Sequence, residues 1–169
     1  MSDLAPHQGG LLTLDLSTKT GFAYGHIGDP KPTGGVWLLG TSSNGLPRPW
    51  TALLDRLGDT LRMFEPSLVV FEAPLPAMRQ KQEKIARLLI GLAVLVETTC
   101  WRWDIECLEQ DAGTARRDIL GKARPEKKEI VSWCQGKGWD VADDNHADAL
   151  LLWQWVGNKR TKSIKVSTK

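Results

Sequence analysis

The sequence predicts an α/β layered domain built on a mixed sheet, and three observations carry that prediction. Short apolar runs ending in single acids read as buried strands. The first three candidate strands follow one another closely, as an antiparallel meander does. After them strand and helix patterns alternate, which places helices against the faces of the sheet.

Taken in order, residues 11–16 form the first strand, 17–20 a polar turn and 21–27 the second strand, and a loop at 28–32 leads to a third strand at 35–39. Asn44, Gly45 and Pro47 break the chain before a helix over 50–64, where Leu53, Leu54, Leu57 and Leu61 recur at helical spacing, and Pro66 ends it. Leu68–Glu72 is a short strand with little alternation, so both of its faces should be buried. Pro74 and Pro76 keep the following segment out of a ladder. A helix over 81–99 is basic early and apolar late, and a fifth strand covers 103–108. Helices at 114–120, 126–135 and 145–156 complete the expectation.

The chain has 169 residues, 41% hydrophobic and 25% charged, enough for one domain with its own core over 1–157. Residues 158–169 carry Lys159, Arg160, Lys162, Lys165 and Lys169 with no acid, and are expected to be a disordered tail that either grips phosphates or simply aids solubility. No run of about 18 apolar residues occurs, so no membrane span is expected, and without a basic-then-apolar leader the chain is read as cytoplasmic. Cys100, Cys107 and Cys134 are odd in number and lack C-x-x-C spacing, which argues for reduced, packed thiols rather than a disulfide framework or a zinc site.

The acids carry the chemistry. Asp15 and Glu72 each end an apolar strand, and Asp143, Asp144 and Asp148 open the last helix, with Asp144 and Asp148 one turn apart on one face. Lone carboxylates are costly at the ends of buried strands. Several converging from distant sequence would repel one another unless a cation joined them. Magnesium, with its preference for oxygen ligands, would fit such a set, and two ions held by carboxylates are suited to phosphodiester hydrolysis. Each acid also has a plainer reading: Asp15 opening an Asx-turn, Glu72 as a solvated strand end, Asp144 or Asn145 as a helix N-cap. Asp148 has the least of one, because an apolar run follows it.

Four segments carry a resemblance: LDLSTKTGFA at 14–23, VFE at 70–72, LGKARPEKKEI at 120–130 and DDNHADAL at 143–150. In this order they resemble RuvC-type Holliday junction resolvases over about residues 11–156, the last segment in the form common in phage and prophage members. The resemblance implies an RNase H-like fold, a mixed five-stranded sheet flanked by helices. It implies a homodimer that nicks a four-way DNA junction symmetrically, with Mg2+ as cofactor and Mn2+ as a substitute. Carried over residue by residue, the metal ligands are Asp15, Glu72, Asp148 and one of Asp143, Asp144 and Asn145, with Asp144 the first choice. Lys127 supports the phosphate as a point charge, and Lys122 and Arg124 lie near the DNA backbone.

Some features depart from that pattern. His146 stands where phage members often carry an acid, and its position opposite Asp144 and Asp148 suggests a surface or capping role. Ala123 replaces a glycine of the basic segment. After Glu72 only Leu75 and Met78 offer an apolar wedge for the junction centre. Lys81, Lys84 and Arg87 form a basic stripe with the choice between a solvated face and a phosphate contact, and Ile85, Leu88, Leu89, Leu92 and Val96 would suit a dimer seam. Of the eight tryptophans, Trp50 and Trp139 are the candidates for stacking on DNA, while Trp101 and Trp103 should flank the fifth strand. The competing readings are another RNase H-fold nuclease, acting on branched DNA or an RNA–DNA hybrid, and a junction-binding protein without catalysis.

Overall fold

β1 (Leu11–Asp15), β2 (Lys19–Gly25) and β3 (Thr33–Leu38) form the expected meander, β1 pairing antiparallel with β2 and β2 with β3. A single 3-10 turn, Ser42–Asn44, leads into α1 (Pro47–Phe64), and β4 (Leu68–Glu72) then returns parallel to β1. α2 (Glu83–Arg102) crosses to β5 (Glu106–Gln110), parallel to β4, and α3 (Ala112–Leu120), α4 (Lys127–Gly136) and α5 (Asp144–Val166) follow. The result is a mixed five-stranded sheet of order β3-β2-β1-β4-β5, flanked by helices. The computed structural model describes residues 9–74 and 82–166. The possible wedge residues Leu75 and Met78, the basic Lys81 and the last three residues lie outside them.

Both faces of the central strands are buried, which is why β1 and β4 lack alternation. Leu12, Leu14, Val69 and Phe71 pack with Leu53, Leu57 and Leu61 of α1 and with Leu88, Leu92 and Val96 of α2. Leu11, Leu68 and Val70 face the other way, onto Ala147, Leu150, Leu151 and Trp153 of α5. Each such side chain contributes roughly 1.5–3 kcal/mol of apolar burial. Leu88, Leu92 and Val96 are therefore not a dimer seam. At helical spacing they belong to the chain's own core, and the apolar side chains that α2 leaves exposed are Ile85, Ile90, Val94 and Trp101.

Local chemistry sets the ends of the helices. α1 has prolines in its first turn and stops at Glu65, which takes the left-handed conformation (φ 45°) just before Pro66. Asp111 caps α3 by accepting from the Thr114 N–H at 2.8 Å, and Glu126 and Glu129 form a capping box on α4. The fifth strand starts later than expected, because α2 runs on through Trp101 and a turn with Asp104 left-handed (φ 55°) precedes β5. Trp101 thus lies in the last turn of α2, 82% exposed.

The last helix corrects a larger expectation. It does not end at Val156 before a disordered tail but continues to Val166. The extension is tied down by ion pairs, Lys159 with Asp118 at 2.9 Å and Arg160 with Glu106 at 2.9 Å. Those two bases thus serve α3 and β5. Trp50 and Trp139 are also committed to the fold. The Trp50 indole donates to the Leu88 carbonyl at 3.2 Å and lies against Gly91, and buried Trp139 donates to the Pro30 carbonyl at 2.9 Å. Buried Trp139 is not presented for stacking on a base, while Trp50 is half-buried. Cys100, Cys107 and Cys134 are free thiols. Among the described residues no helix is long and apolar enough to cross a membrane.

Candidate active site

The parallel register of β1 and β4 builds the first half of the site. Leu14 pairs with Phe71, so the next residues, Asp15 and Glu72, end adjacent strands side by side. Both share strand parity with Leu11, Val70 and Thr13, and so turn toward the α5 face. Their carboxyl groups sit close enough for each to act on the other's ionisation. Burial holds Asp15 well above the usual carboxylate range, and the neighbouring charges of Glu72 and Asp148 push it further. Burial also raises Glu72, against the opposing pull of Arg116. A hollow of about 190 Å³ lies beside the pair, lined also by Leu16, Ala73, Pro74 and Leu89.

α5 brings the second half. Its first turn passes so close to β2 that a Cβ at Gly21 would collide with the Asn145 carbonyl, and buried Thr13 donates from Oγ1 to the Ala149 carbonyl at 2.8 Å. These contacts hold Asp148 against the strand ends. Burial raises the Asp148 carboxyl, partly offset by Arg116. Asp144, one turn earlier, pairs with Lys127 at the start of α4, and that hydrogen bond lowers its pKa and raises that of the lysine.

The other two candidates for the fourth acid position are differently engaged. Asp143 accepts the His146 N–H at 2.9 Å and so caps the helix, while the backbone carbonyl of Asn145 faces Gly21. His146 is not on the surface: it is 5% exposed, and its Nδ1 accepts the Ala142 N–H at 3.1 Å. That bond ties the residues leading into α5 to its first turn. Its burial follows from Gly34, which leaves room for the ring against β3.

Sequence reasoning missed Arg116. Its Nη2 and Nε lie 2.6 and 3.0 Å from Asp148 Oδ1, and Nη2 is 3.4 Å from Glu72 Oε2. A signal for it exists in the sequence. Ala112, Ala115 and Ile119 make the inward stripe of α3, and Arg116 completes the i, i+3, i+4, i+7 pattern, where a charged side chain needs a buried partner. The expected backbone-contacting bases are more scattered. Lys122 pairs with Glu129 at 2.5 Å, Arg124 is exposed between α3 and α4, and Lys84 is exposed in the first turn of α2. Lys84 and Arg87 border an open hollow of about 650 Å³ together with Trp50 and Pro47.

The donor set fits divalent cations in its chemistry: four carboxylates, three of them raised by burial and so short of positive charge. As arranged, Arg116 supplies positive charge to Glu72 and Asp148. Among the described residues no three potential ligands are gathered closely enough to enclose an ion. Binding one at Asp148 or Glu72 would require Arg116 to move aside.

No family model and no curated protein matches the chain. Solved structures do. RuvC of T. thermophilus in complex with a Holliday junction substrate superposes with a TM-score of 0.73 at 18% identity, covering 92% of this chain and 97% of that one. A second Thermus thermophilus RuvC structure gives 0.67 at 18% identity over 90% and 96% of the two chains. The yeast mitochondrial Holliday junction resolvase gives 0.67 at 14% identity over 95% and 82%. At these identities the likeness establishes the fold, which is the RNase H-like fold of RuvC type.

Proposed function

We propose that this protein is a metal-dependent endonuclease that resolves four-way DNA junctions by paired, symmetric nicks. The observation that carries the reading is the convergence of Asp15, Glu72 and Asp148, from two adjacent strand ends and one helix, on a fold shared with RuvC bound to a Holliday junction. The form of the 143–150 segment supports a place in the phage-like branch of such enzymes, and free thiols fit a reducing cytoplasm.

Asp15, Glu72, Asp144 and Asp148 would hold Mg2+, with Mn2+ as a substitute. Bound divalent ions would supply an attacking water of lowered pKa and charge stabilisation at the leaving oxygen. The chain's own residues do the rest. Asp15 and Glu72, both raised by burial, would present charged oxygens to the cation from adjacent strand ends. Lys127, exposed beside Asp144, offers its ammonium to a phosphate oxygen as negative charge builds there. Lys122, Arg124, Lys84 and Lys81 contribute backbone contacts without reading sequence. A two-fold homodimer would set two such sites symmetrically on a two-fold junction.

A junction-binding protein without catalysis is the second reading, favoured by the neutralisation of Asp148 and Glu72 by Arg116. Cleavage of an end-labelled four-way junction in Mg2+ separates the two, run against linear duplex and an RNA–DNA hybrid, with binding scored in Ca2+. Symmetric nicks are expected, and Asp15→Asn should slow them at least about a hundredfold while leaving binding intact. Binding without cutting in either Mg2+ or Mn2+ would leave the second reading; cutting of the hybrid would make the protein a ribonuclease of the same fold.

A further inference from the structure

Arg116 spans two of the acids from a third element. The side chains of Arg116, Glu72 and Asp148 are 21%, 28% and 15% exposed, so the cluster is mostly withdrawn from water. The other cation of the site, Lys127, is 77% exposed and pairs with Asp144 instead. One fixed positive charge thus rests on the acids that end β4 and begin α5.

We propose that Arg116 is the resident counterion of the acidic site, holding Asp148 and Glu72 in place without a divalent cation and competing with that cation for their oxygens. The proposal rests on the metal-dependent reading above and adds to it the residue that sets metal affinity. A hard cation needs carboxylate oxygens that are not already engaged. The two guanidinium donors converge on Asp148 Oδ1, so entry of the cation at that oxygen must break both bonds. An arginine cannot make way by losing its proton. It must swing out, and its side chain, 21% exposed, already reaches water. Its removal has two opposite consequences: the acids lose their support when metal is absent, and a cation meets less competition.

The test is calorimetric titration of the whole chain with Mg2+ and with Mn2+, together with thermal midpoints in chelator. Arg116→Gln should bind about tenfold tighter than wild type, with a lower midpoint in chelator and a larger rise on saturation with Mg2+. Arg116→Lys keeps the charge but loses the paired donors, and should fall between the two. Arg117→Gln, the same charge change at the exposed neighbouring position, should bind as wild type does, which separates a positioned counterion from a general change in net charge. Equal uptake by wild type, Arg116→Gln and Arg116→Lys, or weaker uptake by either variant, would overturn the counterion role and leave the metal-dependent reading standing. Uptake by none of the proteins would remove both. Where Arg116→Gln does not fold, the comparison of Arg116→Lys with wild type decides.

Discussion

Asp15 pays for its burial in its ionisation: the charged form of its carboxyl is disfavoured. Burial and the adjoining Glu72 and Asp148 raise its pKa, so its protonated form is favoured by folding. Such a group contributes stability that is complete below the ordinary aspartate value and is lost as pH rises through the raised, folded value. Asp144 has the opposite sign: its hydrogen bond to Lys127 lowers its pKa, so its smaller, partly exposed contribution is present above the ordinary value and disappears in acid. In chelator, the Asp15 contribution should therefore decline as pH rises above the ordinary aspartate range, and Mg2+ should offset that decline. Asp15→Asn removes the titrating charge. Its melting midpoint in chelator at neutral pH should rise by about 2–4 °C, the change that about 1 kcal/mol produces at this chain length. Scanning calorimetry across pH, with and without Mg2+, checks both; a midpoint of Asp15→Asn below wild type would show that the charged form of Asp15 is not disfavoured in the fold.

At the scale of elements, the site depends on how closely α5 approaches β2 and β1. Gly21 has no side chain where the Asn145 carbonyl passes, and Thr13 supplies the hydrogen bond that fixes Ala149 over β1. Since the obstructing atoms are backbone, Gly21→Ala cannot be absorbed by a rotamer change, and it should cost about 1–3 kcal/mol in urea unfolding. The same displacement would carry Asp144 and Asp148 away from Asp15 and Glu72, so Mg2+ uptake should weaken along with stability. A variant destabilised to this extent but binding Mg2+ as wild type does would show that the helix approach does not position the acids.

Across the whole molecule, α2 divides its apolar residues between two tasks. Leu88, Leu92 and Val96 fill the core, while Ile90, Val94 and Trp101 lie on an outward stripe at i, i+4 and i+11. We place the contact of the proposed homodimer on that stripe, corrected from the residues that the sequence pattern alone suggested. Sedimentation should show a dimer for wild type and a monomer for Val94→Asp combined with Trp101→Ser, with the melting midpoint little changed, since both positions are exposed. A dimer that survives these changes would move the contact elsewhere.

The order of elements, the meander, the mixed sheet and the acids at strand ends were all legible in the sequence, because each depends on local signals: apolar runs, turn residues and the one-turn spacing of Asp144 and Asp148. The segment resemblance ordered those acids into one candidate site. What only the tertiary structure decided is how the charges are paired. Arg116 on Asp148 and Glu72, and Lys127 on Asp144, join residues from separate elements, and a pattern along the chain does not state which side chains meet across a sheet edge. The burial of His146, the use of Leu88, Leu92 and Val96 as core, and the continuation of α5 to Val166 have the same origin. Periodicity tells which residues share a face; only packing tells what that face meets.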